Sequence, residues 1–139
     1  MKYLIDTNVI SELRKGQKCN PNVAAWFASI VEPYISVLVL GEIRKGVERA
    51  RTNDPARARA LEQWLDATLE SFGDRVLPVD QAIAEEWGRM SARRPVSTVD
   101  ALLAATARVH RMTLATRNVT DVADLGADVV NPFAFLPSS

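Results

Sequence analysis

The chain has one cysteine and one histidine in 139 residues, and these scarcities set the first limits. Cys19 has no second thiol, so no internal disulfide can form, and the composition fits a reducing compartment. A lone thiol in a polar loop needs no role. His110 has no second histidine and no cysteine cluster to join, which leaves a zinc site or a Ser-His-Asp triad with almost no support. At the end of a helix its plain use is to meet the negative end of the dipole. No apolar run approaches the roughly 20 residues that span a bilayer. The start, Met1-Lys2-Tyr3-Leu4-Ile5-Asp6, reaches an acid too soon for a secretion signal. The expected compartment is the cytoplasm.

An excess of either charge is also missing: 17 basic residues balance 17 acidic ones, so no global field advertises nucleic acid. The distribution is uneven, however. Arg44, Lys45, Arg49, Arg51, Arg57 and Arg59 crowd one stretch, relieved only by Glu48 and Asp54. Such a run is usually a solvated face. It would also suit the flank of an acidic pocket, holding a phosphate backbone by contacts that weaken with salt. With 47% hydrophobic and 24% charged residues, the composition is that of a globular protein, and the expectation is one domain over residues 1–139.

Apolar runs alternate with amphipathic stretches. Lys2 to Ile5 reads as a short buried strand. Thr7 and Asn8 can cap the next helix, with Val9, Ile10 and Leu13 inside and Gly16 at its end. A second helix carries Val23, Trp26, Phe27 and Ile30, with Pro21 near its first turn. Tyr34 to Val37 is the second strand, followed by a helix from about Leu40 that buries Ile43, Val47 and Ala50. After Asn53-Asp54-Pro55 another helix presents Leu61, Trp64, Leu65, Leu69 and Phe72, closed by Gly73. Arg75 to Val79 is a third strand, suited to an edge by Pro78. Asp80 caps a helix with Ile83, Trp87 and Met90 inside. A loop with Pro95 leads to the helix of Val99, Leu102, Leu103, Thr106 and Val109. Met112 to Ala115 and Asp128 to Val130 are the last strands. Strands alternating with helices imply an α/β fold: a three-layer α/β/α sandwich around a mostly parallel, roughly five-stranded sheet.

Four acids stand just beyond these strands or at the openings of these helices: Asp6, Glu42, Asp100 and Asp121. Each has a bland explanation. Asp6 can cap a helix, Glu42 sits in a first turn where acids are ordinary, Asp100 forms a capping-box pattern with Ser97, and Asp121 lies in a polar loop. Together they would line one edge of the sheet, where α/β folds bind ligands outside the strands' carboxyl ends. Carboxylates gathered there repel one another unless a hard divalent cation intervenes, and oxygen donors suit Mg²⁺ or Mn²⁺. Metal-assisted phosphodiester chemistry is therefore the leading expectation.

At these residues the chain resembles the PIN-domain ribonucleases, specifically the VapC-like toxins of bacterial type II toxin–antitoxin pairs. The likeness runs through nearly the whole length. It is carried by Leu4-Ile5-Asp6-Thr7-Asn8-Val9-Ile10-Ser11-Glu12-Leu13, Ile35-Ser36-Val37-Leu38-Val39-Leu40-Gly41-Glu42-Ile43-Arg44-Lys45-Gly46, Val99-Asp100-Ala101-Leu102-Leu103-Ala104-Ala105-Thr106-Ala107, Leu114-Ala115-Thr116-Arg117-Asn118 and Val130-Asn131-Pro132-Phe133. The resemblance implies Asp6 and Asp100 as principal Mg²⁺ ligands, Glu42 as the third acid, binding the metal directly or through water, and Asn118 with Asp121 at the fourth corner. Many relatives carry an acid where Asn118 stands, and Asn brings an oxygen but no charge. Relatives also often carry Thr at the position of Val39, leaving Ser36 or Thr7 to supply a hydroxyl.

The implied activity is hydrolysis of RNA phosphodiesters by metal-activated water, leaving 5′-phosphate and 3′-hydroxyl ends. Arg117 would contact phosphate or simply lie on the surface. The implied partners are a cognate antitoxin, received in a hydrophobic groove around Trp26 and Trp64, a second copy in a homodimer, and operator DNA only through the antitoxin. Core packing is the default for Trp26, Trp64 and Trp87. Two rivals stand beside this. An aspartyl phosphatase would want Asp-x-Asp where the chain has Asp6-Thr7-Asn8, and a response receiver would want a late lysine, whereas none follows Lys45. A non-catalytic module that only binds RNA or a partner is the other, kept open by Asn118.

Overall fold

A four-residue apolar strand is stable only when both neighbours and both faces are covered, and the first strand is placed to have all of these. In the computed structural model, which describes residues 1–137, β1 (Lys2–Ile5) is the middle of a five-stranded sheet. It pairs with β2 (Glu32–Ser36) on one side and β4 (Thr113–Ala115) on the other. The short strands β3 (Val76–Leu77) and β5 (Asp128–Val130) form the edges, giving the order β3-β2-β1-β4-β5 with every pair parallel. Leu4 lies level with Tyr34 and Leu114, and Ile5 with Ala115.

Parallel neighbours require crossovers. The helices α1 (Thr7–Leu13) and α2 (Pro21–Ser29) link β1 to β2, and α3 (Val37–Asn53) and α4 (Pro55–Phe72) link β2 to β3. The chain returns through α5 (Gln81–Ser91) and α6 (Thr98–His110) to β4, and α7 (Val119–Val122) precedes β5. Helix α1 packs on α2 and α3, and α3 on α4; separately, α5 packs on α6 and α6 on α7. Because the chain steps outward from β1 to β3 and then crosses back to β4, right-handed connections place these groups on opposite faces. The result is the expected α/β/α sandwich, with a wholly parallel sheet.

Leu4, Ile5, Ile35 and Leu114 from the strands meet Val9, Val39 and Leu103 from the helices, all but fully buried. Each such side chain contributes about 1.5–3 kcal/mol. On α6, the buried Ala101, Ala104, Ala105 and Ala107 have short side chains, which let that helix lie close to β1 and β4.

The structure moves several expected boundaries. The Ser36 hydroxyl accepts from the Leu38 N–H, so β2 ends there and α3 begins at Val37 rather than near Leu40. Strand β3 holds only Val76 and Leu77, ending before Pro78, which has no N–H to continue a ladder. Helix α1 is capped by Asp6, not by Thr7 or Asn8, which fall inside its first turn. Gly16 lies beyond that helix, at φ +60°, where it opens a short 3₁₀ turn. Among the described residues no helix is long and apolar enough to cross a membrane.

Candidate active site

The strand order changes direction between β1 and β4, and in open α/β sheets the crevice outside the carboxyl ends at such a point is where ligands bind. Asp6 follows β1 there and Thr116 follows β4. Asp6 is only 6% exposed, an unusual setting for a carboxylate. Its Oδ1 accepts from the Thr7 N–H at 2.6 Å, which caps α1, and its Oδ2 accepts from the Thr116 hydroxyl at 2.8 Å. Asn8 ties the corner together: its amide donates to Thr116 Oγ1 at 3.3 Å, and its Oδ1 accepts from the Arg117 N–H at 3.2 Å.

Glu42 reaches the same corner from α3, where its Oε1 accepts from the Thr7 hydroxyl at 2.5 Å. It is exposed and stands in the second turn of α3, because the helix starts earlier than expected. The dipole of a first turn therefore does not account for it. Asp100 lies in the first turn of α6, but Ser97 makes no side-chain capping bond, so the capping-box explanation fails. Asp100 instead shares a cleft of about 300 Å³ with Asp121, Arg94 and Ser97. Asp121 sits on α7 rather than in an irregular loop. Asn118 precedes that helix, and its backbone N–H donates to Thr116 Oγ1 at 3.0 Å.

Electrostatics shows which acids stand near one another. Burial raises the Asp6 carboxyl above the usual aspartate range; the Thr116 and Thr7 hydrogen bonds oppose this, and the Glu42 and Asp100 charges add to it. Burial likewise raises Asp100, followed by the charges of Asp121 and Glu42. All four expected acids are therefore joined in one chain of like-charge repulsion. Among the described residues, no three of His, Cys, Asp or Glu stand close enough to form a finished metal cage. The donors are hard oxygens, and Mg²⁺ binds through few carboxylates while keeping several waters, so this donor set fits that ion.

Other expected residues lie elsewhere. Arg117 places its guanidinium 4.5 Å from the Phe133 ring centroid, a cation–π contact that closes the end of the sheet. Ser36 is buried and occupied in capping α3, leaving Thr7 as the hydroxyl on Glu42. A groove of about 260 Å³ lies between α1, α2 and α4, lined by Leu13, Phe27, Trp64 and Phe72. Trp26, expected to line such a groove, is instead buried edge-on to Tyr3 at 5.2 Å, and Phe27 lines it beside Trp64. His110 ends α6 as expected. Sequence reasoning missed Thr116 and Arg94. The signal for Thr116 was its place one residue past β4, level with Asp6 past β1.

The family model of the PIN domain matches residues 3–123. The toxin FitB of Neisseria gonorrhoeae is 31% identical, across 94% of this chain and 97% of its own length. The VapC ribonuclease Y4jK of Sinorhizobium fredii is 30% identical, across 94% and 96%. Among solved structures, FitAB bound to an IR36 DNA fragment superposes with a TM-score of 0.84 at 30% identity, covering 99% of this chain and 99% of that one. A toxin–antitoxin complex from Klebsiella pneumoniae gives a TM-score of 0.71 at 27% identity, covering 94% and 97%. The chain belongs to the PIN-domain family and, within it, to the VapC-like toxins.

Proposed function

We propose that the protein is a Mg²⁺-dependent endoribonuclease, the toxin of a type II toxin–antitoxin pair, with Mn²⁺ able to replace Mg²⁺. The observation that carries this is the burial of Asp6 at the sheet's switch point while Glu42 and Asp100 add their charge to it. A structural carboxylate has no reason to be held where its neighbours destabilise it. Asp6, Asp100 and Asp121 would hold the ion, with Glu42, the third catalytic acid, binding it directly or through water. Mg²⁺ supplies a lowered pKa for water and neutralisation of charge on the phosphoryl group.

The chain's own residues do the rest. The Thr116 hydroxyl and the Thr7 N–H favour the ionised form of Asp6 and orient it. The Thr7 hydroxyl fixes the rotamer of Glu42, leaving that carboxylate's second oxygen to accept a proton from attacking water. Arg94 donates to the Asp121 carbonyl at 2.7 Å and so sets the far wall of the cleft. Cleavage leaves 5′-phosphate and 3′-hydroxyl ends.

The apolar groove of Leu13, Phe27, Trp64 and Phe72 would receive the antitoxin, as a helix or strand laid on an apolar surface. Operator DNA is contacted through that antitoxin, the toxin itself is a two-fold homodimer, and an RNA substrate puts its work in the cytoplasm.

The test is incubation of the purified protein, freed of its partner, with structured RNA across a titration of Mg²⁺ or Mn²⁺, with the product ends mapped. Cleavage that EDTA stops and that Asp6→Ala and Asp100→Ala lose is expected. Full cleavage by a folded Asp6→Ala protein sinks the assignment, and RNA binding without cutting favours a binding module.

A further inference from the structure

The six cations of residues 44–59 fall into different structural classes. Arg44 and Arg51 pair with Glu48 and Glu62 and tie α3 to α4. Lys45, Arg49 and Arg57 have no carboxylate partner among the described residues. These free cations line clefts that open from the same place. One cleft, of about 330 Å³, has Arg14, Arg57 and Trp64 on its walls. The other, of about 570 Å³, has Lys45, Arg49 and Val99. Thr7, Glu42 and Gly46 belong to both.

The glycines are a separate observation. Gly41 and Gly46 lie inside α3, exposed, and a Cβ on either would meet nothing within 4 Å. Packing does not require glycine at these places, and only proline is a poorer helix former. Both line the larger cleft beside Glu42. Bare backbone there keeps the passage open and lets an incoming chain lie close.

We propose that the two clefts form one track for a single strand of RNA. Arg14 and Arg57 take phosphates on one side of Glu42, Lys45 and Arg49 take them on the other, and Gly46 is the saddle between. The proposal rests on the nuclease reading. Evenly spaced phosphates meet both cationic arms at once, and a concave track with Glu42 at its midpoint suits one strand rather than a duplex.

The experiment uses full-length protein carrying Asp6→Asn, to stop cutting, and a labelled single-stranded RNA of about twelve nucleotides. Affinity is measured over a range of salt. Lys45→Ala with Arg49→Ala, and separately Arg57→Ala, should each weaken binding about 10-fold and lower the salt slope by about 0.7 per charge removed. Arg59→Ala, which removes the same charge from outside both clefts, should bind as the parent. Gly46→Leu should raise the thermal midpoint by about 2–4 °C while weakening RNA binding, opposite signs that a structural role does not produce. Unchanged affinity and salt slope in the cleft variants overturns the track, as does equal binding of a duplex or loss of a protein partner alone. Failure of the wild-type protein to cut RNA with Mg²⁺ or Mn²⁺ defeats the nuclease reading instead, and the binding comparison still decides the track.

Discussion

The hydroxyl of Thr116 donates to Asp6 Oδ2 at 2.8 Å while accepting from the Asn8 amide and the Asn118 N–H. A hydroxyl has one hydrogen and two lone pairs, so with both acceptor positions filled its hydrogen is directed at the carboxylate. This bond lowers the Asp6 carboxyl against the burial that raises it.

Thr116→Val keeps the shape and removes the donor. It also leaves the Asn118 N–H without its acceptor and the Asn8 amide with only a long bond to Asp6 Oδ2, at 3.5 Å, which should cost about 1–3 kcal/mol in chemical denaturation. The Asp6 carboxyl rises further, so the acid limb of the pH–rate profile should move toward higher pH. Thr116→Ser should restore both. A profile unchanged in a folded Thr116→Val protein would show that the hydroxyl does not hold Asp6 ionised.

The raised carboxyls also fix the sign of a stability effect. A group whose native value lies above its unfolded value of about 3.9 favours the fold fully below that value, and this support is lost as pH climbs through the native value. Asp6 and Asp100 are both of this kind, so metal-free protein at neutral pH lacks the support they give at acid pH. Asp100→Asn should therefore raise the melting temperature of EDTA-treated protein by about 2–4 °C while abolishing cleavage. A fall in melting temperature would show that the carboxylate is structural.

Arg94 offers a third test. Its guanidinium grips the Asp124 carboxylate and the Asp121 carbonyl together, bridging the loop before α6 to α7. Both side chains are substantially exposed, so Arg94→Ala should change stability by about 1 kcal/mol or less. The Mg²⁺ concentration for half-maximal cleavage should rise about 10-fold, the scale for losing a residue that orients a ligand. Direct Mn²⁺ binding by titration calorimetry should weaken in parallel, and an unaltered ion affinity would count against the bridge.

The groove gives a fourth. Ala67 is exposed on its wall, so Ala67→Arg places a charge among Leu13, Phe27 and Trp64 without disturbing the core. The variant should cut RNA as the parent does but escape inhibition by the antitoxin in a mixing assay. Inhibition at the parental ratio would move the partner's seat elsewhere.

How much of this was readable beforehand depends on the range over which each signal acts. Lys2 to Ile5 and Asp128 to Val130 were placed to the residue, because a short apolar run between breakers is a local property. Glu42 was given the wrong turn because the Ser36 hydroxyl, not the apolar pattern, starts α3. The sheet edge and the likeness to relatives both brought Asp100 toward Asp121, but the bridge by Arg94 was not legible, since Arg94 stands near Asp100 in the chain and far from Asp121. Thr116 stands one residue past a strand that the sequence does show, but the sequence does not show that this strand lies beside β1.

Asp6 and Thr116 stand 110 positions apart, and β4 must dock before they meet. A polypeptide still emerging from the ribosome thus carries its first carboxylate long before that carboxylate has a dry, hydrogen-bonded seat. The seat of Asp6 is in this way a product of the assembled sheet: until β4 lies beside β1, the side chain lacks the hydroxyl that grips it.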